Sequence, residues 1–283
     1  MTIRPKIPMP SDQSPEPVSE ALLEHRTKIV AVANQKGGVG KTTTAVNLGT
    51  ALAAVGKTVL IVDLDPQGNA STGFGIESAA RHQTSYQVVL GDTPVAAATV
   101  SSPVPGLRVV PSSVDLSAAE LDLADMPRRE FRLRAALEAV HDRYDYILID
   151  CPPALGLLTL NALVAADSVL VPLQCEFYAL EGLSHLLRTV ELVKRAFNPA
   201  LEIQGVVLTM FDKRNNLCEM VASDVRQHLG EKVYRTVIPR NVRVSEAPSH
   251  GKPVLLYDHN CPGAQAYIHL AGEVLRRDRA AAP

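Results

Sequence analysis

Hydrophobic positions follow two alternating patterns along the chain from residue 28 onward. Short, nearly continuous apolar runs predict strands at residues 29–34, 59–64, 107–111, 146–150, 168–173, 203–210 and 233–238. Segments with apolar residues at helical spacing predict helices at residues 43–55, 129–141, 156–165, 180–196, 218–229 and 264–277. Continuous apolar strands are typical of sheets that are covered on both faces. The alternation therefore predicts an α/β fold with a doubly wound, mainly parallel sheet flanked by helices.

The first 26 residues differ from this pattern, since they contain five prolines and no long apolar period. We predict that residues 1–26 form a flexible tail, in which residues 18–23 could form a short helix. No internal repeat or low-complexity block interrupts the remainder of the chain. Residues 27–283 are therefore predicted to form one domain.

Composition narrows the class of protein. Of the 283 residues 46% are hydrophobic, which is too many for a disordered chain. The 28 basic and 30 acidic side chains leave a net charge of −2, so a polycation that coats nucleic acid through bulk charge is excluded. No apolar run has the ~18 residues of a membrane span, and the N-terminus lacks the apolar stretch of a secretory signal. Four widely spread cysteines without a CxxC pair favour reduced thiols in a cytoplasmic protein.

A glycine-rich loop at residues 34–43, which we call the phosphate loop, joins the first predicted strand to the first predicted helix. Glycines allow the backbone to fold closely around phosphates, and the following helix adds its positive N-terminal end. Lys41 would neutralise the β- and γ-phosphates of a nucleotide, and the Thr42 hydroxyl would ligate Mg²⁺. The remaining predicted nucleotide contacts of the glycine-rich pattern are Gly37, Gly38, Val39, Gly40 and Thr43.

The phosphate loop departs from the ordinary pattern, because Gln35 stands where a glycine is expected and a second lysine, Lys36, precedes the glycine pair. With its sequence NQKGGVGKTT the chain resembles the ParA/Soj family of deviant phosphate-loop partition ATPases. The resemblance implies that two subunits enclose two ATP molecules face to face. It also implies that Lys36 reaches the nucleotide of the opposing subunit; a solvated loop lysine is the alternative.

Carboxylates stand at the ends of two predicted strands: Asp63 and Asp65 on one, Asp150 on the other. Because ligands gather at the carboxyl ends of parallel strands, we expect all three to face the phosphates. An aspartate after an apolar strand is typical of a residue that holds a Mg²⁺-bound water, which predicts this role for Asp150. The family resemblance implies that Asp65 positions the attacking water and that Asp63 lies near the magnesium shell. The alternative is that Asp63 and Asp65 cap the turn.

Residues 150–163 also resemble the second switch region of the family, with one departure. Ala154 stands where many relatives carry serine, so a hydroxyl role is absent there. Cys151 is expected to be a small buried residue.

Basic residues are concentrated in residues 213–252, which we call the basic segment. It holds eight basic and four acidic residues, a charge of +4 that leaves −6 elsewhere. A solvated surface alone often explains such a charge run. The stretches 208–217 and 237–248, however, resemble family segments in which arginines at the positions of Arg214 and Arg243 bind DNA without reading its sequence.

Four further residues of the basic segment receive predicted roles. The resemblance implies that Pro239 and Asn241 contact the nucleotide base. Arg240 and Lys252 are assigned to the DNA-binding surface, although either could serve the nucleotide or the fold instead.

The function that the resemblance implies is ATP-driven DNA partition in the cytoplasm, in association with the nucleoid. An ATP-bound homodimer would bind nonspecific double-stranded DNA and leave it after hydrolysis stimulated by a ParB-type centromere-binding protein, without a membrane step. The alternative is a membrane-cycling ATPase of the MinD type, which needs a C-terminal amphipathic helix. The apolar positions of residues 264–277 fit core packing better. A carrier related to nitrogenase iron protein would need paired cluster cysteines, which the spacing does not offer.

Overall fold

An eight-stranded sheet runs through the centre of the computed structural model, which describes residues 27–281. The strands are β1 (Lys28–Val32), β2 (Val59–Asp63), β3 (Val100–Ser101), β4 (Leu107–Val110), β5 (Tyr146–Asp150), β6 (Ser168–Gln174), β7 (Glu202–Phe211) and β8 (Val233–Pro239). Their order across the sheet is β3-β4-β2-β5-β1-β6-β7-β8. All neighbours are parallel except β3 and β4. The predicted fold class, a mainly parallel single-domain α/β sheet, is confirmed.

Helices cover both faces of this sheet. The α-helices are α1 (Lys41–Ala54), α2 (Asn69–Gly73), α3 (Ser85–Leu90), α4 (Val95–Ala98), α5 (Ala119–Asp122), α6 (Arg132–Glu138), α7 (Leu157–Ala165), α8 (Ala179–Ala196), α9 (Asn216–Leu229), α10 (Val242–Glu246), α11 (Val254–Tyr257) and α12 (Pro262–Ala281). Single 3₁₀ turns occupy Ser78–Ala80, Val114–Ala118, Arg129–Phe131, His141–Arg143, Gly230–Lys232 and Ala247–His250.

The alternation of side chains along the strands divides the core into two layers. On β1, Ile29 and Ala31 belong to one buried cluster and Val30 and Val32 to the other. The first layer includes α7, α8 and α9, and the second includes α1 and α12. Because both faces of each central strand are buried, its sequence is continuously apolar.

The structure differs from the predicted elements at the helix of residues 129–141 and at β3, and it contains the short helices α2–α5, α10 and α11, which were not predicted. The helix predicted at residues 129–141 is broken into the turn Arg129–Phe131, α6, and the turn His141–Arg143. The Asn161 side chain on α7 accepts a hydrogen bond from Leu133 N (3.1 Å) and donates one to Arg129 O (2.9 Å), which anchors the start of α6. Strand β3 was not predicted, since two residues carry no periodic signal. The predicted tail, residues 1–26, lies outside the described residues.

Helix α12 is longer than predicted and its apolar face is buried. Tyr267, Leu270, Ala271 and Val274 lie in the core layer shared with α1. The Tyr267 hydroxyl contacts the Thr44 hydroxyl of α1 at 3.3 Å. The apolar face of this helix is therefore occupied by core contacts. None of the helices in the described part of the chain is both long and apolar enough to cross a membrane.

Asp145, directly before β5, is hydrogen-bonded to the residues that precede the neighbouring strand β2, and this contact is the basis of a stability prediction. Its carboxylate accepts hydrogen bonds from Lys57 Nζ (2.7 Å), Thr58 N (2.7 Å) and Thr58 Oγ1 (2.8 Å). Partial burial opposes ionisation, but these hydrogen bonds outweigh it and lower the pKa of Asp145 to about 2. We expect Asp145→Asn to reduce the free energy of unfolding by about 1–2 kcal/mol at pH 7.

Urea denaturation at several pH values tests this prediction. A carboxyl with a depressed folded-state pKa stabilises the protein above its unfolded pKa, and that stabilisation is lost as the pH falls. The difference between wild type and Asp145→Asn should therefore be constant above about pH 5 and shrink between about pH 4 and pH 2. Asp142→Asn is the control, because the Asp142 side chain is 93% exposed. Equal losses in the two variants would contradict the assignment.

Candidate functional site

The phosphate loop lies between β1 and α1, as predicted. Gly38 and Gly40 have φ angles of 74° and 88°, in the left-handed region that favours glycine. Gly40 is the N-cap residue of α1, and no side chain caps that helix. The first N–H groups of α1 are therefore free to bind an anion.

Lys41 lies at the bottom of the loop with only 6% of its surface exposed. Its Nζ donates a hydrogen bond to Lys36 O at 3.1 Å. Burial lowers the pKa of Lys41, whereas the charges of Asp150 and Asp65 raise it. The predicted catalytic lysine therefore lies among the predicted carboxylates.

Two of those carboxylates, Asp63 and Asp150, end neighbouring parallel strands. They are register partners of β2 and β5, and both are fully buried. Register partners on adjacent strands lie about 5 Å apart at their Cα atoms, and their side chains emerge on the same face of the sheet. Two like charges so close in a buried site disfavour ionisation.

Asp150 is the least satisfied group of the site. Neither of its carboxylate oxygens has a hydrogen-bond partner of regular geometry among the described residues, although the nearby Thr42 hydroxyl favours the ionised form. Burial, followed by the charge of Asp63, holds the pKa of Asp150 well above its usual range. A buried carboxylate with so few donors has oxygens available to a cation.

Asp63, unlike Asp150, accepts hydrogen bonds of regular geometry. Its Oδ2 accepts hydrogen bonds from Ser71 N (2.8 Å) and Ser71 Oγ (2.6 Å), and its Oδ1 accepts one from Asp65 N (3.3 Å). Burial raises its pKa to about 6, and these hydrogen bonds limit the rise. Asp63 thus anchors residues 65–73, which we call the switch segment. The sequence did not identify Ser71, because a serine in a turn has no distinctive pattern.

Asp65 is the first residue of the switch segment. It is 8% exposed, and its Oδ1 accepts a hydrogen bond from Gln67 N at 3.0 Å. Among the described residues, none donates a hydrogen bond to its Oδ2. Asp65 therefore both closes the turn, which was the alternative interpretation, and keeps an oxygen available for a ligand or a water.

Arg81 holds the switch segment from outside, a role that the sequence did not predict. It donates hydrogen bonds to Ser112 O (3.0 Å), Thr72 Oγ1 (2.8 Å) and Ile76 O (3.0 Å). Its guanidinium covers Gly68, where an added Cβ would lie 2.2 Å from Arg81 Nη1. The switch segment is therefore attached to the loop that follows β4.

Strand β7 contacts the phosphate loop through two residues that were also not predicted. Thr209 Oγ1 donates a hydrogen bond to Val39 O at 2.8 Å. The next residue, Met210, has a φ of 49°, a strained value for a residue other than glycine. A Cβ on Gly40 would lie 3.8 Å from Thr209 Cγ2. The strain therefore occurs where β7 packs against the loop.

Lys36 forms an ion pair with Glu176 of the same chain, and both side chains are partly exposed. The two residues after Glu176 are exposed aromatics: Phe177 is 74% and Tyr178 67% exposed. Their rings stack edge to face at 5.1 Å. An aromatic patch therefore adjoins Lys36 on the protein surface.

The two predicted base contacts are farther from the phosphate loop. Pro239 ends β8, three strands from β1 and about 14 Å away across the sheet. Asn241 caps α10, its Oδ1 accepting a hydrogen bond from Val244 N at 3.4 Å. Both lie at the same carboxyl edge of the sheet as the phosphate loop.

The predicted DNA-binding residues divide into two groups. Arg214 follows β7, and Arg240 N donates a hydrogen bond to Phe211 O (3.1 Å) at the end of that strand. Arg214, Arg240 and Arg243 all follow the last two strands of the sheet, and we call them the basic face. Lys252 instead lines a cleft of about 250 Å³ with Thr42 and Thr43, so it lies beside the phosphate loop.

A strand–loop–helix anion site at the carboxyl edge of a parallel sheet, with buried carboxylates beside it, defines a phosphate-loop nucleotide-binding protein. A family model described as an AAA domain matches residues 27–203. The chain is 62% identical over 254 residues to the chromosome partitioning protein ParA of Caulobacter vibrioides, covering 89% of this chain and 95% of that protein. The chain therefore belongs to the ParA/Soj family of chromosome-partitioning ATPases.

A second relative carries a name from the same family, and one solved structure shares the fold. The sporulation initiation inhibitor protein Soj of Bacillus subtilis is 57% identical over 247 residues, which cover 87% of this chain and 98% of Soj. A Mycobacterium smegmatis crystal structure described as cobyrinic acid a,c-diamide synthase with bound ATP analogue and magnesium superposes with a TM-score of 0.80. It is 38% identical and covers 90% of this chain and 97% of that one.

Removal of the Asp150 charge should stabilise the protein in the absence of nucleotide and divalent metal. Its ionised form is buried beside Asp63 and has no hydrogen-bond partner of regular geometry among the described residues, so Asp150→Asn should raise the melting temperature at pH 8 by about 2–4 °C, equivalent to about 1 kcal/mol. A carboxyl with a raised folded-state pKa costs stability above its unfolded-state pKa of about 4, and this cost grows until the folded-state pKa is passed, so the gain should shrink as the pH falls toward 4.

Asp278→Asn provides the matched control in the same thermal melts. Asp278 is also a mostly buried carboxylate, but it pairs with Lys28 and accepts a hydrogen bond from Tyr146 Oη at 2.7 Å. Its loss should lower stability by about 1–3 kcal/mol. If Asp150→Asn destabilises the protein as much as Asp278→Asn does, the account of Asp150 is wrong.

Proposed function

We propose that this protein binds and hydrolyses ATP with Mg²⁺, and that the ATP-bound homodimer binds nonspecific double-stranded DNA during DNA partition. The observation that carries the proposal is the unpartnered carboxylate of Asp150 beside Asp63, Lys41 and the uncapped start of α1. This arrangement offers donors for phosphates and an acceptor for a cation at one point. The names of the relatives, which include chromosome partitioning proteins, support the biological role.

The oxygen atoms available at this site fit magnesium in particular. Among residues 27–281, no group of three or more His, Cys, Asp or Glu side chains could hold a metal ion on its own. Mg²⁺ is commonly held by one or two protein oxygens together with substrate phosphates and waters. The Thr42 hydroxyl would supply such an oxygen and Asp150 would hold a Mg²⁺-bound water, while Asp63 remains attached to Ser71 near the magnesium shell. Bound Mg²⁺ would offset the negative charge of the phosphates.

Hydrolysis depends on residues that orient water and stabilise charge. The available oxygen of Asp65 would accept a hydrogen bond from the water that attacks the γ-phosphate. Lys41 and the N–H groups of the phosphate loop would stabilise the charge that develops on the phosphate oxygens. Lys36 of the opposing subunit would add a further positive charge.

The surface beside Lys36 supports a dimer across the nucleotide. Phe177 and Tyr178 are exposed next to Glu176, the partner of Lys36. Exposed aromatic side chains of this kind are enriched in protein interfaces. We propose that this patch is buried against the second subunit when Lys36 reaches the opposing nucleotide.

The double variant Phe177→Ser/Tyr178→Ser tests the dimer. It should weaken dimerisation in the presence of a nonhydrolysable ATP analogue by at least about tenfold, since two interface aromatics that contribute about 1 kcal/mol each exceed the ~1.4 kcal/mol of a tenfold change. Sedimentation velocity measures the dimer, and fluorescence titration with a labelled analogue measures nucleotide binding, which should be retained. Leu192→Ser is the control, because Leu192 is 61% exposed on α8. Unchanged dimerisation of the double variant would contradict the proposed interface.

The basic face supports DNA binding that does not read sequence. The Arg214 side chain is 89% exposed and that of Arg243 53% exposed, so both can reach phosphates. Arginine–phosphate contacts supply affinity and steep salt dependence but carry no sequence information. Because a dimer presents the face twice, ATP-dependent dimerisation would increase the affinity for a single DNA molecule. Release would follow hydrolysis stimulated by a ParB-type partner.

Arg243→Ala should weaken DNA binding and lower its salt dependence. Two phosphate contacts are lost per dimer, so the slope of log K against log salt should fall in magnitude by about 2. Fluorescence anisotropy with a mixed-sequence duplex measures both effects in the presence of the ATP analogue. Arg188→Ala, at an exposed position on α8, should leave the slope unchanged. Identical slopes for wild type and Arg243→Ala would exclude Arg243 from the interface.

A membrane-cycling function of the MinD type is less well supported. It needs an apolar helical face that can enter a lipid surface. In α12 that face is buried against α1 and β8. The proposed cellular location is therefore the cytoplasm, on the nucleoid.

A further inference from the structure

We infer that Asp212 limits the affinity of the basic face for DNA by competing with phosphate for the guanidinium of Arg214. The inference rests on the proposed DNA-binding function and assigns a new role to a residue between β7 and α9. The inference concerns the affinity of the protein for DNA, and therefore how readily the DNA is released.

The contact between these residues uses the fork of the guanidinium. Arg214 Nε lies 3.0 Å from Asp212 Oδ1, and Arg214 Nη2 lies 2.9 Å from Asp212 Oδ2. Arg214 N also donates a hydrogen bond to Asp212 Oδ1 at 3.0 Å. Arginine binds carboxylate and phosphate with the same paired N–H groups. A DNA phosphate that uses this edge of Arg214 must therefore displace Asp212.

The Arg214 side chain is held by Asp212 although it is almost fully exposed. Only 29% of the Asp212 side chain is exposed, compared with 89% of the Arg214 side chain. Asp212 is thus the more fixed member of the pair, at the end of a central strand, and Arg214 is the member that can turn to an external anion. Arg240, which follows the neighbouring strand, adds to the positive potential at Asp212.

A similar arrangement occurs at the second predicted DNA-binding arginine. Arg243 Nη1 lies 2.9 Å from Glu246 Oε2, and Arg243 Nε lies 3.6 Å from Asp258 Oδ2. Glu246 also accepts a hydrogen bond from Tyr257 Oη at 3.3 Å, so it contributes to local packing as well. In the described contacts the Asp212 side chain bonds only to Arg214, and an asparagine oxygen can still accept the hydrogen bond from Arg214 N, so Asp212 is the better position for a test.

The ion pair between Asp212 and Arg214 also affects the release of DNA. An arginine that regains a carboxylate partner when DNA leaves loses less favourable interaction than one that returns to water alone. Asp212 also places a negative charge among the phosphate contacts. Both effects lower the affinity of each subunit, so that tight binding requires two copies of the face on one DNA molecule.

Asp212→Asn tests the inference directly. Loss of one negative charge at about 6 Å from a phosphate should strengthen DNA binding about threefold per subunit, and about tenfold for a dimer at low salt. The salt slope should become steeper by up to about 2 per dimer, as Arg214 pairs more fully with phosphate. The probe is a mixed-sequence duplex, measured by anisotropy with the ATP analogue at several salt concentrations.

Two controls separate competition from a general change of charge. Glu219→Gln removes the same charge from an exposed position of the basic segment that does not contact Arg214, and it should have a smaller effect. In an Arg214→Ala background, Asp212→Asn should gain no more affinity than Glu219→Gln does.

The outcomes distinguish the inference from the function on which it rests. If the wild-type protein shows no ATP-dependent DNA binding, the proposed function fails. If wild type binds DNA and Asp212→Asn binds it equally or more weakly, Asp212 orients Arg214 instead of competing for it, and the inference is wrong. An equal gain with and without Arg214 would also overturn it.

Discussion

The parallel pairing of β2 and β5 brings two aspartates, Asp63 and Asp150, side by side in the interior, where neither can be solvated. A buried carboxylate must find donors, a counterion or a proton. Asp63 finds its donors in Ser71, and so fixes the switch segment. Asp150 finds none of regular geometry in the described residues, and Lys41 lies nearby. The fold thus maintains an unsatisfied charge at the point where nucleotide phosphates and a cation are expected.

The same strand ends place the proposed DNA contacts close to the nucleotide site. Thr209 on β7 holds the phosphate loop through Val39, and the chain reaches Asp212 and Arg214 within the next five residues. The basic face is therefore attached to a strand that contacts the nucleotide loop directly. The net charge of the chain, −2, is compatible with the proposed DNA binding, because the charge of +4 is confined to the basic segment. Carboxylates of the same chain that pair with the arginines of the basic face reduce its positive potential further.

The sequence predicted the elements whose residues carry a periodic or glycine-rich signal. The central strands, α1, and the positions of Lys41, Asp63 and Asp150 follow from continuous apolar runs and from the rule that parallel strands end at one edge. It did not predict Arg81 or Glu176, because their roles depend on contacts between distant parts of the chain. The strained Met210 and the two-residue strand β3 likewise arise from tertiary packing, which local propensity does not report.

In the proposed cycle, the bound nucleotide controls DNA binding through dimerisation. The most direct measurement is the binding of wild-type protein to a mixed-sequence duplex with ATP analogue, with ADP and without nucleotide, while analytical ultracentrifugation records the oligomeric state. We expect tight, salt-sensitive binding to appear only with the ATP analogue and only together with the dimer. DNA binding of equal strength in all three states, or by the monomer, would contradict the proposed cycle.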